Sequence, residues 1–144
     1  MTELEQRRAV VEAARGYIGT PYHQNGMLKG VGVDCATLLA LAFKEAGVRL
    51  PEITNYSSQW HLHSDDPLYE KAILANGCRQ VDEPDIGDIA LYFQGRQFAH
   101  GAIISVLEPL TIINAYAPAR RVIEGPETDF GTIAGVKRKF FTAW

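Results

Sequence analysis

The sequence predicts an α+β fold, with N-terminal helices packed on an antiparallel β-sheet. Apolar residues recur at helical spacing through the first half of the chain, and from residue 84 the pattern changes to β-prone runs separated by short turns. Helices first and strands afterwards argue for segregated rather than alternating layers. The 144 residues suit one domain, residues 1–144, with one sizeable core. No internal repeat, low-complexity tract or linker divides them.

Each element has its own signal. Thr2 and Glu5 form a capping box ahead of Val10, Val11, Ala14, Tyr17 and Ile18, which predicts a helix over about 3–18. Gly19 and Pro21 stop it. Residues 19–33 carry four glycines and a proline and read as a long, functional loop. Asp34 caps a second helix over about 34–46, with Leu38, Leu39, Ala42, Phe43 and Ala46 as a broad apolar face. Residues 48–55 read as irregular and 56–63 as holding a helical turn. Asp66-Pro67 starts a short helix over about 67–76, and residues 78–83 form an edge strand. Strands follow over about 89–93, 98–107 and 111–116, then a short one near 121–123 and a last one over about 133–140.

Composition excludes several function classes. A net charge of −3 gives no pull toward nucleic acid or an anionic membrane, and the clusters Arg120-Arg121 and Lys137-Arg138-Lys139 are short enough to be solvated surface. No segment approaches the ~20 apolar residues that span a bilayer. The polar start Met1–Arg8 has no signal-peptide core, which predicts synthesis in the cytoplasm. Cys35 and Cys78 are too few for a disulfide-stapled domain. A single Cys35–Cys78 bridge is the competing reading, and it would consume the thiol best placed for chemistry.

That thiol is Cys35, in the first turn of the second helix. Unpaired N–H groups and the positive end of the helix dipole favour the thiolate there. A cysteine nucleophile needs a base, and the base needs an orienting partner. His100 lies in the apolar run Phe98–Ile104, and Asn114 in the apolar run Thr111–Tyr116. Taken alone, His100 reads as a core histidine satisfied by a carbonyl. If the hairpin turns near Glu108, however, residues 102 and 114 pair and His100 sits diagonal to Asn114 on one face, facing the helix. A one-residue slip would separate them.

In order along the chain, Gly19-Thr20-Pro21-Tyr22, Val33-Asp34-Cys35, Gly87-Asp88-Ile89, Ala99-His100-Gly101 and Ile113-Asn114-Ala115 resemble the motifs of NlpC-type cell-wall cysteine peptidases. The extended form, Gly19-Thr20-Pro21-Tyr22 followed by Lys29–Cys35, looks most like the phage-tail and gene-transfer-agent branch. The resemblance implies a papain-like fold and hydrolysis of amide bonds in peptidoglycan stem peptides, with no metal and no cofactor. It implies Cys35 as nucleophile, His100 as base and Asn114 as the residue that orients the imidazole. Tyr22 matches a tyrosine beside the thiol, an oxyanion or substrate-positioning group, and the N–H groups of Cys35 and Ala36 are further oxyanion donors. His23, beside Tyr22, is a candidate for lining the substrate cleft. N-capping and binding the amino end of a stem peptide both account for Asp34. Two departures, Ala36-Thr37 after the cysteine and Gly101-Ala102 after the histidine, remove no catalytic side chain but bear on substrate preference.

The resemblance also implies action in a virion tail or at the periplasm and cell wall, with phage tail-tip proteins as partners. Rival readings are a structural tail-tip component with a peptidase fold, an interbacterial amidase effector, and a transferase working through the same thioester. His61, His63, Asp65 and Asp66 offer a metal-site reading, against a polar surface loop. Cys78 reads as a buried, inert thiol, and Trp60 and Trp144 as packing or, for Trp144, a docking contact.

Overall fold

The computed structural model describes residues 1–48, 67–75 and 77–144. The expectations for residues 49–66, including the His61/His63 metal reading, Trp60 and the Asp66 cap, lie outside the described residues.

Helix α1 (Glu3–Arg15) begins where Thr2 Oγ1 accepts the Glu5 N–H at 3.1 Å, and passes through turns to Gly19 at φ +88°. The following loop holds a short hairpin, β1 (Met27–Leu28) with β2 (Gly32–Val33). Helix α2 (Cys35–Glu45) starts from a reciprocal cap. Asp34 Oδ1 accepts the Thr37 N–H at 2.9 Å, and Thr37 Oγ1 accepts the Asp34 N–H at 2.8 Å. Helix α3 (Leu68–Ala75) buries Tyr69 and Ile73.

The strands are β3 (Arg79–Val81), β4 (Ile89–Gln94), β5 (Gln97–Val106), β6 (Thr111–Tyr116), β7 (Arg121–Pro126) and β8 (Arg138–Thr142). They form one antiparallel sheet in the order β3-β8-β4-β5-β6-β7. The last strand is displaced from the expected 133–140. Ile133 is buried from a turn, against the sheet, so an apolar residue that reads as strand packs without joining a ladder.

Strand alternation sorts the core into two layers. Ile89, Leu91, Ile103, Ile113, Ala115 and Phe141 pack with Val10, Val11 and Ala14 of α1, Leu38, Leu39, Ala42 and Phe43 of α2, and Tyr69 and Ile73 of α3. Ala90, Tyr92, Ala102, Ile104, Ile112 and Phe140 face the other way, against Phe130 and Ile133.

Two features of this sheet position the site. The β5–β6 register is Ile103↔Ile113 and Ile104↔Ile112, which is the register that pairs residues 102 and 114. Pairing with β6 stops at Ile103, whereas β5 stays paired with β4 down to Gln97. The sheet therefore opens between β5 and β6 beside residues 99–101. The Ile104 main chain bonds toward the β4 side, to Gly87 N–H and Asp88 O, so Ala99 and Gly101 present theirs to the opening.

At the other end of the sheet, Arg7 ties α1 to the turn before β4 and to β8. It donates to Asp88 Oδ1 at 2.7 Å, Ile86 O at 2.9 Å and Thr142 Oγ1 at 3.1 Å, and its guanidinium lies 4.4 Å from the Trp144 ring centroid.

Candidate active site

Cys35 is the first residue of α2, and its side chain enters the opening in the sheet. The thiol donates to Ala99 O, with Sγ 3.7 Å away, and the Gly101 N–H points at the sulfur. The two neighbours of His100 thus both hold the sulfur. The N–H groups of Cys35 and Ala36 face it as well. A Cβ on Gly101 would lie 2.5 Å from Tyr69 Oη, so a larger residue there would have to push Tyr69 aside. Tyr69 Oη in turn donates to Cys35 O at 3.4 Å.

His100 and Asn114 come together as the register requires. His100 Nε2 lies 2.9 Å from Asn114 Oδ1, and Asn114 Nδ2 donates to Ile123 O at 3.4 Å. With its N–H₂ committed to Ile123, the amide turns its oxygen to the imidazole. Nε2 must then carry the proton, and the lone pair of the neutral ring sits on Nδ1. Tyr92 and Tyr116 flank the ring at 6.2 and 6.4 Å between centroids.

Two expectations are corrected. His100 and Asn114 do not face the helices: they alternate with Gly101 and Ile113, and so project from the opposite face, beside Tyr92 and Tyr116. Cys35 lies on the open edge rather than over that face. Nor does the helix terminus make Cys35 a thiolate at rest. Burial pushes the thiol up to about 12, the Asp34 charge adds to this, and the surrounding N–H groups offset only part. Burial lowers the His100 pKa, against the raising effect of its bond to Asn114. Both shifts favour the uncharged forms, thiol and neutral imidazole.

No protein-family profile matches this chain. Over 62 residues, 43% of the chain, it is 42% identical to probable endopeptidases of Mycobacterium tuberculosis and Mycobacterium bovis, and it spans only 15% of their length. Among solved structures, the NlpC/p60 domain of the peptidoglycan hydrolase SagA matches with a TM-score of 0.62 at 22% identity, covering 92% of this chain and 96% of that one. The peptidoglycan hydrolase RipB of M. tuberculosis matches with a TM-score of 0.67 at 21% identity, covering 99% and 68%. The chain has the NlpC/p60 fold. RipD of M. tuberculosis, a non-catalytic NlpC/p60 domain protein, shares it with a TM-score of 0.63 at 16% identity, covering 96% and 98%. This fold alone therefore does not decide whether a chain is catalytic.

The remaining expected site residues fall into distinct places around the Cys35 thiol. Tyr22 is half-buried, and burial, then the Cys35 and Asp34 charges, raise its phenol pKa, so it keeps its proton. Asp34 is 1% exposed. Its Oδ1 caps α2 and its Oδ2 accepts the Asn25 N–H at 2.8 Å, so capping and loop clamping account for it and a substrate amine has no access. His23 is exposed, with Nδ1 3.1 Å from Gln24 O. Cys78 is buried, and both cysteines are free thiols. Among the described residues no group of His, Cys, Asp and Glu could hold a metal ion, and no helix is long and apolar enough to cross a membrane.

Sequence reasoning missed Tyr69 and Gln24. Tyr69 reads as one more apolar helical position, and only the glycine after His100 hints that something bulky approaches there. Gln24, a polar residue in a glycine-rich loop, carries no signal in sequence; its amide lies against the Tyr22 hydroxyl, with Oε1 at 3.4 Å.

Proposed function

We propose that this chain, read as one domain over residues 1–144, is a cysteine peptidase that hydrolyses amide bonds in peptidoglycan stem peptides. The observation that carries the reading is the sulfur of Cys35 held by both neighbours of His100, while Asn114 fixes the proton on Nε2. The lone pair on Nδ1 is then the base for the thiol.

Because the resting pair is neutral, the thiol loses its proton as substrate arrives. Nδ1 takes the Cys35 proton, the sulfur attacks the scissile carbonyl carbon, and the electron pair of the C=O bond moves to oxygen. The N–H groups around the sulfur and the Tyr22 hydroxyl are the candidate donors to that oxyanion. The imidazolium gives its proton to the leaving amine, and water then hydrolyses the thioester with His100 again the base. Asn114 keeps one tautomer through both half-reactions.

Purified peptidoglycan digested with the wild type is expected to yield new amine and carboxylate ends by mass analysis, and Cys35→Ala to yield none. The absence of new ends with the wild type would overturn the reading. The RipD likeness and the buried resting thiol favour one second reading, a domain that binds peptidoglycan or serves as a structural tail-tip component without cleaving. Binding by the wild type without new ends is its signature. The phage-tail or prophage setting, with tail-tip partners, rests on Gly19–Tyr22 and Lys29–Cys35 alone, and an interbacterial effector role shares the same chemistry.

A further inference from the structure

The glycine loop holds a group that the mechanism above does not use. Among the described residues, Gln24 Nε2 is a buried side-chain nitrogen with no hydrogen-bond partner. A buried donor left unpaired costs ~1–3 kcal/mol. The other end of the same amide, Oε1, receives the Tyr22 hydroxyl at 3.4 Å, long for an O–H···O bond. The Tyr22 proton is thus held loosely, and away from the oxyanion it is placed to serve.

The backbone cannot relieve this. Residues 23–26 form a turn closed by Gly26 N–H to His23 O at 2.9 Å, with Asn25 at φ +62°. Asn25 N–H is clamped to Asp34 Oδ2 at 2.8 Å, one residue before the thiol. A Cβ on Gly26 would lie 2.5 Å from Gly32 O, and one on Gly32 would lie 2.7 Å from His23 Cβ, so the loop has closed to contact. The freedom that remains is rotation of the Gln24 carboxamide.

Exchanging the ends of that amide resolves both faults. Nε2 then donates to Tyr22 Oη, and the buried end becomes a carbonyl oxygen, which tolerates an unmade bond better than an N–H does. Resting on the hydrolase reading given above, we propose that Gln24 is a positioning residue: in the reactive state its carboxamide nitrogen faces Tyr22 Oη and frees the phenol proton to hydrogen-bond the oxyanion formed at Cys35. The proton is shared in that bond and not transferred. Because the Tyr22 phenol stays protonated, the donor is present across the working pH range.

The test is a double-mutant cycle on stem-peptide hydrolysis. Gln24→Glu only accepts at neutral pH, so it captures the phenol proton. It is expected to lower kcat and kcat/KM together by about tenfold or more. In a Tyr22→Phe background the same change is expected to do little. Gln24→Met neither captures nor orients the hydroxyl, so it loses less than Gln24→Glu, and that loss also disappears in the Tyr22→Phe background; it serves as the second variant if the glutamate chain folds poorly. Equal losses in both backgrounds would mean a charge or packing effect and overturn the proposal, as would wild-type kinetics for both Gln24 variants. Absence of turnover by the wild type would overturn the hydrolase reading and this inference with it, which separates the two failures.

Discussion

The sheet buries polar side chains at two ends and treats them oppositely. At one end Arg7 and Asp88, with side chains 8% and 2% exposed, form a salt bridge 2.7 Å long, with Thr142 and the Ile86 carbonyl taking further N–H groups. At the other end Cys35, His100 and Asn114 are buried as well, and burial favours the uncharged forms of the thiol and the imidazole. The ionic end gains from pairing what burial costs it, and only if both partners stay. The neutral end avoids that cost by holding its titratable groups in their uncharged forms. A structural clamp can be a salt bridge because nothing has to change there. A site that must move a proton is better kept neutral until substrate supplies the reason to charge.

The sharpest break in this comparison is chemical. Cys35→Ala and His100→Ala are each expected to reduce stem-peptide hydrolysis by about 10³-fold or more while the fold survives, read as released amine alongside an unchanged far-UV spectrum. At the ionic end the effect should be on stability alone. Arg7→Met strands Asp88 and is expected to cost ~3–5 kcal/mol, a fall in Tm of roughly 10 °C. Adding Asp88→Leu should recover much of it, and a double variant no more stable than the single would end the idea of a stranded charge.

Smaller effects separate the two ends by pH. The folded state lowers the His100 pKa from 6.5, so the unfolded chain binds the extra proton more readily. The resulting stability is present above about pH 6.5 and is lost as pH falls through the folded value. Urea midpoints should therefore drop on acidification in the wild type, and less steeply in His100→Gln. The raised thiol pKa of Cys35 predicts slow alkylation by iodoacetamide near neutrality, with a rate that climbs about tenfold per pH unit above it. A fast plateau already present at pH 5 would mean a resting thiolate–imidazolium pair instead. The smallest expected change is Thr2→Ala, which removes an exposed cap at a cost of ~1 kcal/mol and leaves both ends intact.

Much of this was legible in the chain because periodicity and caps are local. The α2 start at Asp34-Cys35, the runs of β4 to β6 and the diagonal placement of His100 and Asn114 all follow from counting residues. What counting could not reach were relations set by how layers meet. Alternation says that His100 and Asn114 share a face, but which face receives the helices depends on Leu39, Tyr69 and Phe130, which all read as plain apolar residues. The cap that marks Cys35 as a candidate thiolate also buries it beside the Asp34 carboxylate, and burial proved the larger effect. Ile133 shows the same limit on a small scale, packing from a turn as well as it would from a strand.

The opening between β5 and β6 has a consequence for how this site can be dissected. Among the sulfur's polar neighbours are main-chain atoms, the Ala99 carbonyl and the Gly101 amide. A side-chain substitution scan removes neither, so positions 99 and 101 would report on space and not on electronics. Replacing the Gly101 amide with an ester by chemical synthesis deletes the one N–H in question without adding an atom near Tyr69. The thiol in this architecture is adjusted by backbone editing, a kind of variation that codon changes do not sample.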